Sequence, residues 1–154
     1  MMSRLQPLPV DLVDHYNELV TESDVLRSLY VACLDTGIID RHYGVVSVFL
    51  PKIANRLKRI RHLCRLIRRQ YDNVGRPPKW YTAVEEVFMT AQELTGELRI
   101  VKEKIKENRW LEIRVRVERY IRDCERIAGE LESITLPDLQ VYREEMKDSN
   151  LELD

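Results

Sequence analysis

The segment LPKIANRLKRIRHLCRLIRRQY, residues 50 to 71, places an apolar residue at alternating intervals of three and four positions. This spacing matches the period of an α-helix, so the apolar side chains form one stripe along one face. The stripe consists of Leu50, Ile53, Leu57, Ile60, Cys64, Ile67 and Tyr71. We therefore predict a helix here that buries one side.

Three other segments carry the same spacing, and Ser23 is the one polar residue in the four stripes. The first stripe is Leu12, Tyr16, Leu19, Ser23, Leu26, Tyr30 and Cys33. The third is Val84, Val87, Ala91, Leu94, Leu98, Val101 and Ile105, and the fourth is Ile113, Val117, Tyr120, Cys124, Ile127, Leu131 and Ile134. Each stripe is about 30 Å long at the helical rise. Four matched helices predict an all-α, antiparallel four-helix bundle.

Turn-forming residues separate the stripes. Pro9 suits a first helical turn, and Thr36-Gly37 predicts the end of the first helix. We interpret Ile38 to Phe49 as a short helical lead-in, because Pro51 favours a kink or a helix start. Residues 75 to 78 (GRPP) separate the second and third helices, with Pro78 opening the third.

Two later signals complete the division of the chain. Asn108 tolerates left-handed dihedral angles and suits a tight turn between the third and fourth helices. Residues 135 to 138 (TLPD) predict the end of the fourth helix, followed by a short additional C-terminal helix from Leu139 to Lys147. We therefore expect one helical-bundle domain over residues 1–147 and an acidic tail or linker over residues 148–154.

The composition favours a helical globular domain. The chain has 154 residues, of which 44% are hydrophobic and 33% charged, with a net charge of −1. Cys33, Cys64 and Cys124 are odd in number and far apart, which disfavours a disulfide framework and indicates a reducing compartment. The longest nearly apolar run, Val45 to Leu50, is too short to span a membrane. We expect a cytoplasmic protein, with a peripheral position at the plasma membrane as an alternative.

No constellation of residues points to catalysis. The sequence has no glycine-rich phosphate loop, no H-E-x-x-H and no paired Cys/His metal spacing. His15, His42 and His62 lie far apart, and the three cysteines occupy stripe positions that favour core packing. We therefore expect neither enzymatic activity nor a cofactor or metal.

The most unusual segment is KIANRLKRIRHLCRLIRR, residues 52 to 69, which is basic without an intervening acid. Its cations are Lys52, Arg56, Lys58, Arg59, Arg61, Arg65, Arg68 and Arg69. Glu and Asp residues of neighbouring helices, such as Glu85, Glu86, Glu93 and Glu97, are one source of compensation. An acidic protein surface or an anionic membrane is the other. Nucleic acid is disfavoured because aromatic residues are not interleaved with the arginines.

Two tryptophans lie near the ends of the third helix. Trp80 and Trp110 suit the ends of a bundle core, where the ring packs inside and the indole N–H stays near water. The alternative is that they are hot spots for partner binding.

Several strings resemble a known domain. They are LKRIRHLCRLIRRQY at residues 57–71, Pro77-Pro78, the segment from Trp110 to Ile134, and ITLPDLQV at residues 134–141 with Glu144-Glu145. Together with the long third helix, they resemble the N-terminal helical domain of plant U-box/armadillo-repeat ubiquitin ligases. That domain is similar to the four-helix bundles of mixed lineage kinase domain-like proteins and of plant broad-spectrum mildew-resistance proteins.

The resemblance implies a module that brings a ligase to substrates, to exocyst subunits or to receptor kinases near the plasma membrane. Ubiquitin transfer would need a U-box, which this sequence does not contain. The chain departs from the family at Arg68 to Gln70, where acidic residues are usual, and at 35–44, which resembles an insertion.

We therefore expect a non-catalytic adaptor that docks a protein partner through its basic second helix. The alternative is a membrane-associating bundle of the cell-death type, acting through the same helix. Homo-oligomerisation is also open, because amphipathic helices often pair with a second copy.

Overall fold

The computed structural model describes residues 10–71 and 77–152, and for Val10 and residues 135–152 it describes the backbone alone. Its helices are α1 (Val10–Cys33), α2 (Tyr43–Gln70), α3 (Lys79–Lys106) and α4 (Trp110–Glu152). Each helix packs against the next one along the chain, and α1 closes the ring against α4. The fold is an all-α four-helix bundle, as the four stripes predict.

The four stripes meet in one core. Their residues are all buried except Tyr71 and Ile134, which are partly buried and pack against the same cluster. Ser23 is accommodated because its hydroxyl donates a hydrogen bond to the Leu19 carbonyl, at 2.8 Å. At the lower end of the bundle, where α1 and α3 begin, the Tyr16 hydroxyl donates to the Leu131 carbonyl at 3.1 Å. The periodicity therefore identified the core correctly.

The connection between α1 and α2 differs from the prediction. The chain does not leave the helix at Thr36-Gly37; it continues through a π-helical turn, Leu34–Ile38. Gly37 is needed there, because a Cβ atom at this position would lie 2.7 Å from Cγ2 of Val46 in α2. The chain reverses after this turn, with Arg41 in the left-handed region at φ 57°. The packing of the π-helical turn against α2 moves the end of the first helix.

Two prolines lie inside helices rather than at their ends. The lead-in predicted for Ile38 to Phe49 belongs to α2 from Tyr43 onward, since α2 runs without a break through Pro51. The short C-terminal helix is likewise not separate, because α4 continues through Pro137 to Glu152. A proline removes one N–H bond from a helix, but Leu50 and Lys52, which both favour helix, flank Pro51. The proposed tail at 148–154 stays a prediction.

Two turn signals are confirmed. Pro78 precedes the first residue of α3 with φ −68°. Asn108 has φ 56° in the turn between α3 and α4. Pro9 and Gly75 lie outside the described residues. Within the ranges that are described, no helix combines the length and apolarity needed to cross a membrane.

Candidate interaction surface on the second helix

The basic residues of α2 form the candidate site. Seven of the eight predicted cations are exposed, and Arg61 is partly buried. Because the apolar stripe occupies the inner face, these cations fall on two flanks of the helix. Lys52, Arg56 and Arg59 form the α1 side, and the α3 side consists of Lys58, Arg61, Arg65, Arg68 and Arg69. The predicted single surface is therefore two surfaces.

Carboxylates of α1 neutralise the two arginines of the α1 side. Nη1 of Arg56 donates to both carboxylate oxygens of Glu22, at 3.0 Å each, and Glu22 is only 9% exposed. Arg59 forms an ion pair with Glu18. Lys52 lies 5.9 Å from the centre of the Phe49 ring. Charge-assisted pairs of this kind hold the two helices together, so this side stabilises the fold.

Aromatic rings, rather than carboxylates, meet the α3 side. The guanidinium groups of Arg65 and Arg68 lie 5.7 Å and 4.9 Å from the centre of the Phe88 ring. None of the five cations on this side forms an ion pair with any residue in the ranges 10–71 and 77–134. An aromatic face attracts a cation but leaves its charge in place. The α3 side therefore keeps its positive charge.

A cleft opens at the lower end of the α3 side, and we call it the arginine cleft. Arg65, Arg68, Arg69 and Tyr81 line it, and its volume is about 330 Å³. Tyr81 is 8% exposed, and its ring centre lies 4.6 Å from that of Tyr71. Nearby on the same side, Nε of Arg61 is buried without a hydrogen-bond acceptor among the described residues. The cleft thus combines several cations with an aromatic wall.

Compensation by acidic residues of a neighbouring helix is confirmed for α1, whose Glu22 and Glu18 pair with Arg56 and Arg59. The α3 glutamates given as examples do not supply it. Glu86 pairs with Arg126 of α4, and this guanidinium lowers the pKa of the Glu86 carboxyl. Glu97 accepts hydrogen bonds from Arg116, at 2.9 Å, and from the Tyr120 hydroxyl. Those two carboxylates face α4 rather than α2. Glu85 and Glu93 form no ion pair in the part of the chain that the structure describes.

The tryptophans divide between core and edge. Trp80 is 1% exposed, and its indole nitrogen is buried without a hydrogen-bond partner among the described residues. It lies four residues before Val84 and so continues the stripe of α3, packing edge-on against Tyr16 and Tyr71. The predictions that its N–H stays near water and that it is a surface hot spot are therefore wrong. Trp110 begins α4 and is partly buried against the core.

The cysteines are core residues, as their stripe positions predict. Burial raises the pKa of the Cys64 and Cys124 thiols to about 12 and that of Cys33 to about 11. At neutral pH these groups stay protonated, and the thiol is a poor nucleophile and metal ligand. Among the described residues, no group of three or more histidines, cysteines or carboxylates is placed to hold a metal ion.

Sequence reasoning missed a second cleft, at the upper end of the bundle between α2 and α3. We call it the upper cleft; its volume is about 300 Å³. It is lined by Tyr43, Ser47, Leu50, Pro51, Lys102, Ile105 and Lys106. Tyr43 is 57% exposed although it is large and largely apolar. It lies seven residues before Leu50 and so extends the apolar stripe of α2 by two turns, and this extension was the signal that could have revealed the cleft.

In comparisons with protein-family models, with curated proteins and with solved structures, the chain has no match. The resemblance to the helical domain of U-box ubiquitin ligases therefore stays a prediction.

Proposed function

We propose that this protein is a protein-interaction module that binds an acidic segment of a partner through the α3 side of α2. One observation carries the proposal. The five cations of the α3 side have no carboxylate partner in the described fold, whereas Arg56 and Arg59 on the same helix are paired. Arginine beside aromatic rings is also the composition typical of protein interfaces.

A protein partner fits this surface better than a membrane does. A helix that lies in a membrane surface inserts its apolar face among the lipids. The apolar face of α2 is buried in the bundle core, and no large hydrophobic side chain is exposed between residues 52 and 70. Insertion would require the bundle to open, whereas an acidic protein can dock without any rearrangement. Purely electrostatic adhesion to an anionic leaflet is the second candidate, supported by the same five charges.

A labelled peptide of ten glutamates tests the proposal by fluorescence anisotropy. We compare the native protein with the double variant Arg65→Glu/Arg68→Glu and with a matched control, Arg119→Glu/Arg122→Glu, on the exposed face of α4. The first variant should weaken binding at least about tenfold, and the control should not. Circular dichroism checks that all three proteins are folded.

Flotation with phosphatidylserine liposomes separates the two candidates. Binding to the peptide together with weak binding to liposomes supports the protein partner. Strong flotation without peptide binding favours the membrane. Peptide binding that is equally tight in the native protein and Arg65→Glu/Arg68→Glu contradicts the protein partner, and flotation that is equally strong in the two contradicts the membrane.

The resemblance suggests a biological setting for this module. As the recruiting domain of a U-box ubiquitin ligase, it would bring the ligase to a substrate, an exocyst subunit or a receptor kinase. The four-helix bundle fold supports this setting. Sequencing the complete transcript tests it, since the reading frame should also encode a U-box and armadillo repeats. A transcript without them would contradict the ligase setting but not the interaction role.

A further inference from the structure

Cations of α3 also lie beside α2, at the upper end of the bundle. Lys102 and Lys106 line the upper cleft, and Arg99 lies one turn before Lys102 on the same face of α3. All three are exposed and, within the chain as described, form no ion pair with a carboxylate. We call the space between the two helices the α2–α3 groove. It therefore carries uncompensated cations at both of its ends.

The upper end of this groove also offers an apolar surface. Leu50 and Ile105 are buried at 6% and 2% exposure, and Tyr43 and Pro51 are exposed beside them. The volume of about 300 Å³ is at the small end of the range of ligand sites, enough for one side chain. Lysines at its edge favour a partner whose apolar side chain is flanked by carboxylates.

A backbone feature adds a polar contact to the upper cleft. Proline has no N–H, so Pro51 cannot donate the helical hydrogen bond to the carbonyl of Ser47, four residues earlier. Both residues line the cleft. The Ser47 carbonyl oxygen therefore lacks its usual helical donor and can accept a hydrogen bond from an N–H group of a bound segment.

We infer that one acidic segment of a partner protein lies lengthwise in the α2–α3 groove, with an apolar side chain in the upper cleft and carboxylates leading down to the arginine cleft. This inference rests on the proposed function. It adds the orientation of the bound segment and the apolar side chain that anchors it. Arg65 lies 18 residues after Ser47 along α2, which is about 27 Å. An extended segment covers that distance in about eight residues.

Two labelled nine-residue peptides test the inference. One has phenylalanine followed by eight glutamates, and the other has serine in place of the phenylalanine. Burial of the phenyl ring should make the first peptide bind the native protein about tenfold more tightly. The variant Ser47→Phe fills the cleft and should abolish this difference while leaving the affinity for the serine peptide unchanged.

Val48→Phe is the matched control, because Val48 is 57% exposed and does not line the cleft. It should preserve the tenfold preference. Equal affinity of the native protein for the two peptides overturns the inference, and so does a preference that survives in Ser47→Phe. In both cases the proposed function stands if Arg65→Glu/Arg68→Glu still weakens both peptides. Failure of both peptides to bind the native protein overturns the inference and the proposed function together.

Discussion

The two sides of α2 carry the same type of residue but differ in what they meet. On the α1 side, Arg56 meets the nearly buried carboxylate of Glu22. On the α3 side, Arg65 and Arg68 meet the ring of Phe88. A carboxylate neutralises a guanidinium, whereas a ring only positions it. The first arrangement stabilises the bundle, and the second leaves charge available for a partner.

A run of basic residues in a helix is therefore not one functional unit. Residues that are consecutive in sequence point in different directions, and each direction has its own neighbour. Lys58 and Arg59 are adjacent in the chain, yet only Arg59 has a carboxylate partner in the described fold. The same kind of substitution on the two sides should therefore change the stability of the fold by different amounts.

The largest expected difference concerns the stability of two charge reversals. Arg56→Glu places a carboxylate beside Glu22, so we expect it to lower the free energy of unfolding by about 2 kcal/mol, a value reduced for the partial exposure of Arg56. Arg65→Glu has no carboxylate beside it and should change the free energy by less than about 0.5 kcal/mol. Urea unfolding of both variants measures the two changes in free energy. Equal losses would show that the two sides do not differ.

The contact between arginine and ring should give a smaller effect. A double-mutant cycle of Arg68→Met and Phe88→Leu should yield a coupling energy of about 0.5–1 kcal/mol, because the guanidinium lies 4.9 Å from the ring centre. The matched cycle on the α1 side, Lys52→Met with Phe49→Leu, has a distance of 5.9 Å and should yield less. Thermal unfolding measures both cycles. A larger coupling energy on the α1 side would contradict this account.

The smallest expected effect is that substitutions at two neighbouring residues change the free energy of unfolding in opposite directions. Lys58→Gln relieves repulsion on the α3 side and should raise the free energy of unfolding by about 0.3 kcal/mol at low salt. Arg59→Gln removes the pair with Glu18 and should lower it by about 0.5 kcal/mol. Both changes in free energy should become smaller in about 0.5 M NaCl, since salt screens exposed charges. Changes of the same sign in the two variants would disprove the division of the helix.

Much of the fold could be predicted from the sequence, because apolar residues spaced at the helical period are buried on one face of each helix. Residues such as Cys64, Ile105 and Ile127 lie in the core since their spacing matches the helical period. Trp80 follows the same rule, as its position extends the stripe of α3 by one turn. Sequence analysis placed its N–H near water because a tryptophan suits either a core or an edge.

The candidate site was predictable only in part. The sequence identified the cations of α2 and predicted that neighbouring helices compensate them, as Glu18 and Glu22 of α1 do. The examples it singled out on α3 include Glu86 and Glu97, which pair with α4 instead. Periodicity shows which face a residue occupies, but it does not show which neighbouring helix lies against that face. That information comes from the arrangement of the helices around the core. The upper cleft was missed for a related reason, since α2 and α3 build it together.

The most direct test of the central claim follows the arginine side chains by ¹H–¹⁵N NMR during titration with the ten-glutamate peptide. The account predicts that the Nε–Hε signals of Arg65, Arg68 and Arg69 shift progressively, because these groups acquire carboxylate partners. The signals of Arg56 and Arg59, already paired with Glu22 and Glu18, should stay in place. Shifts of Arg56 and Arg59 at equal or lower peptide concentrations would contradict the account.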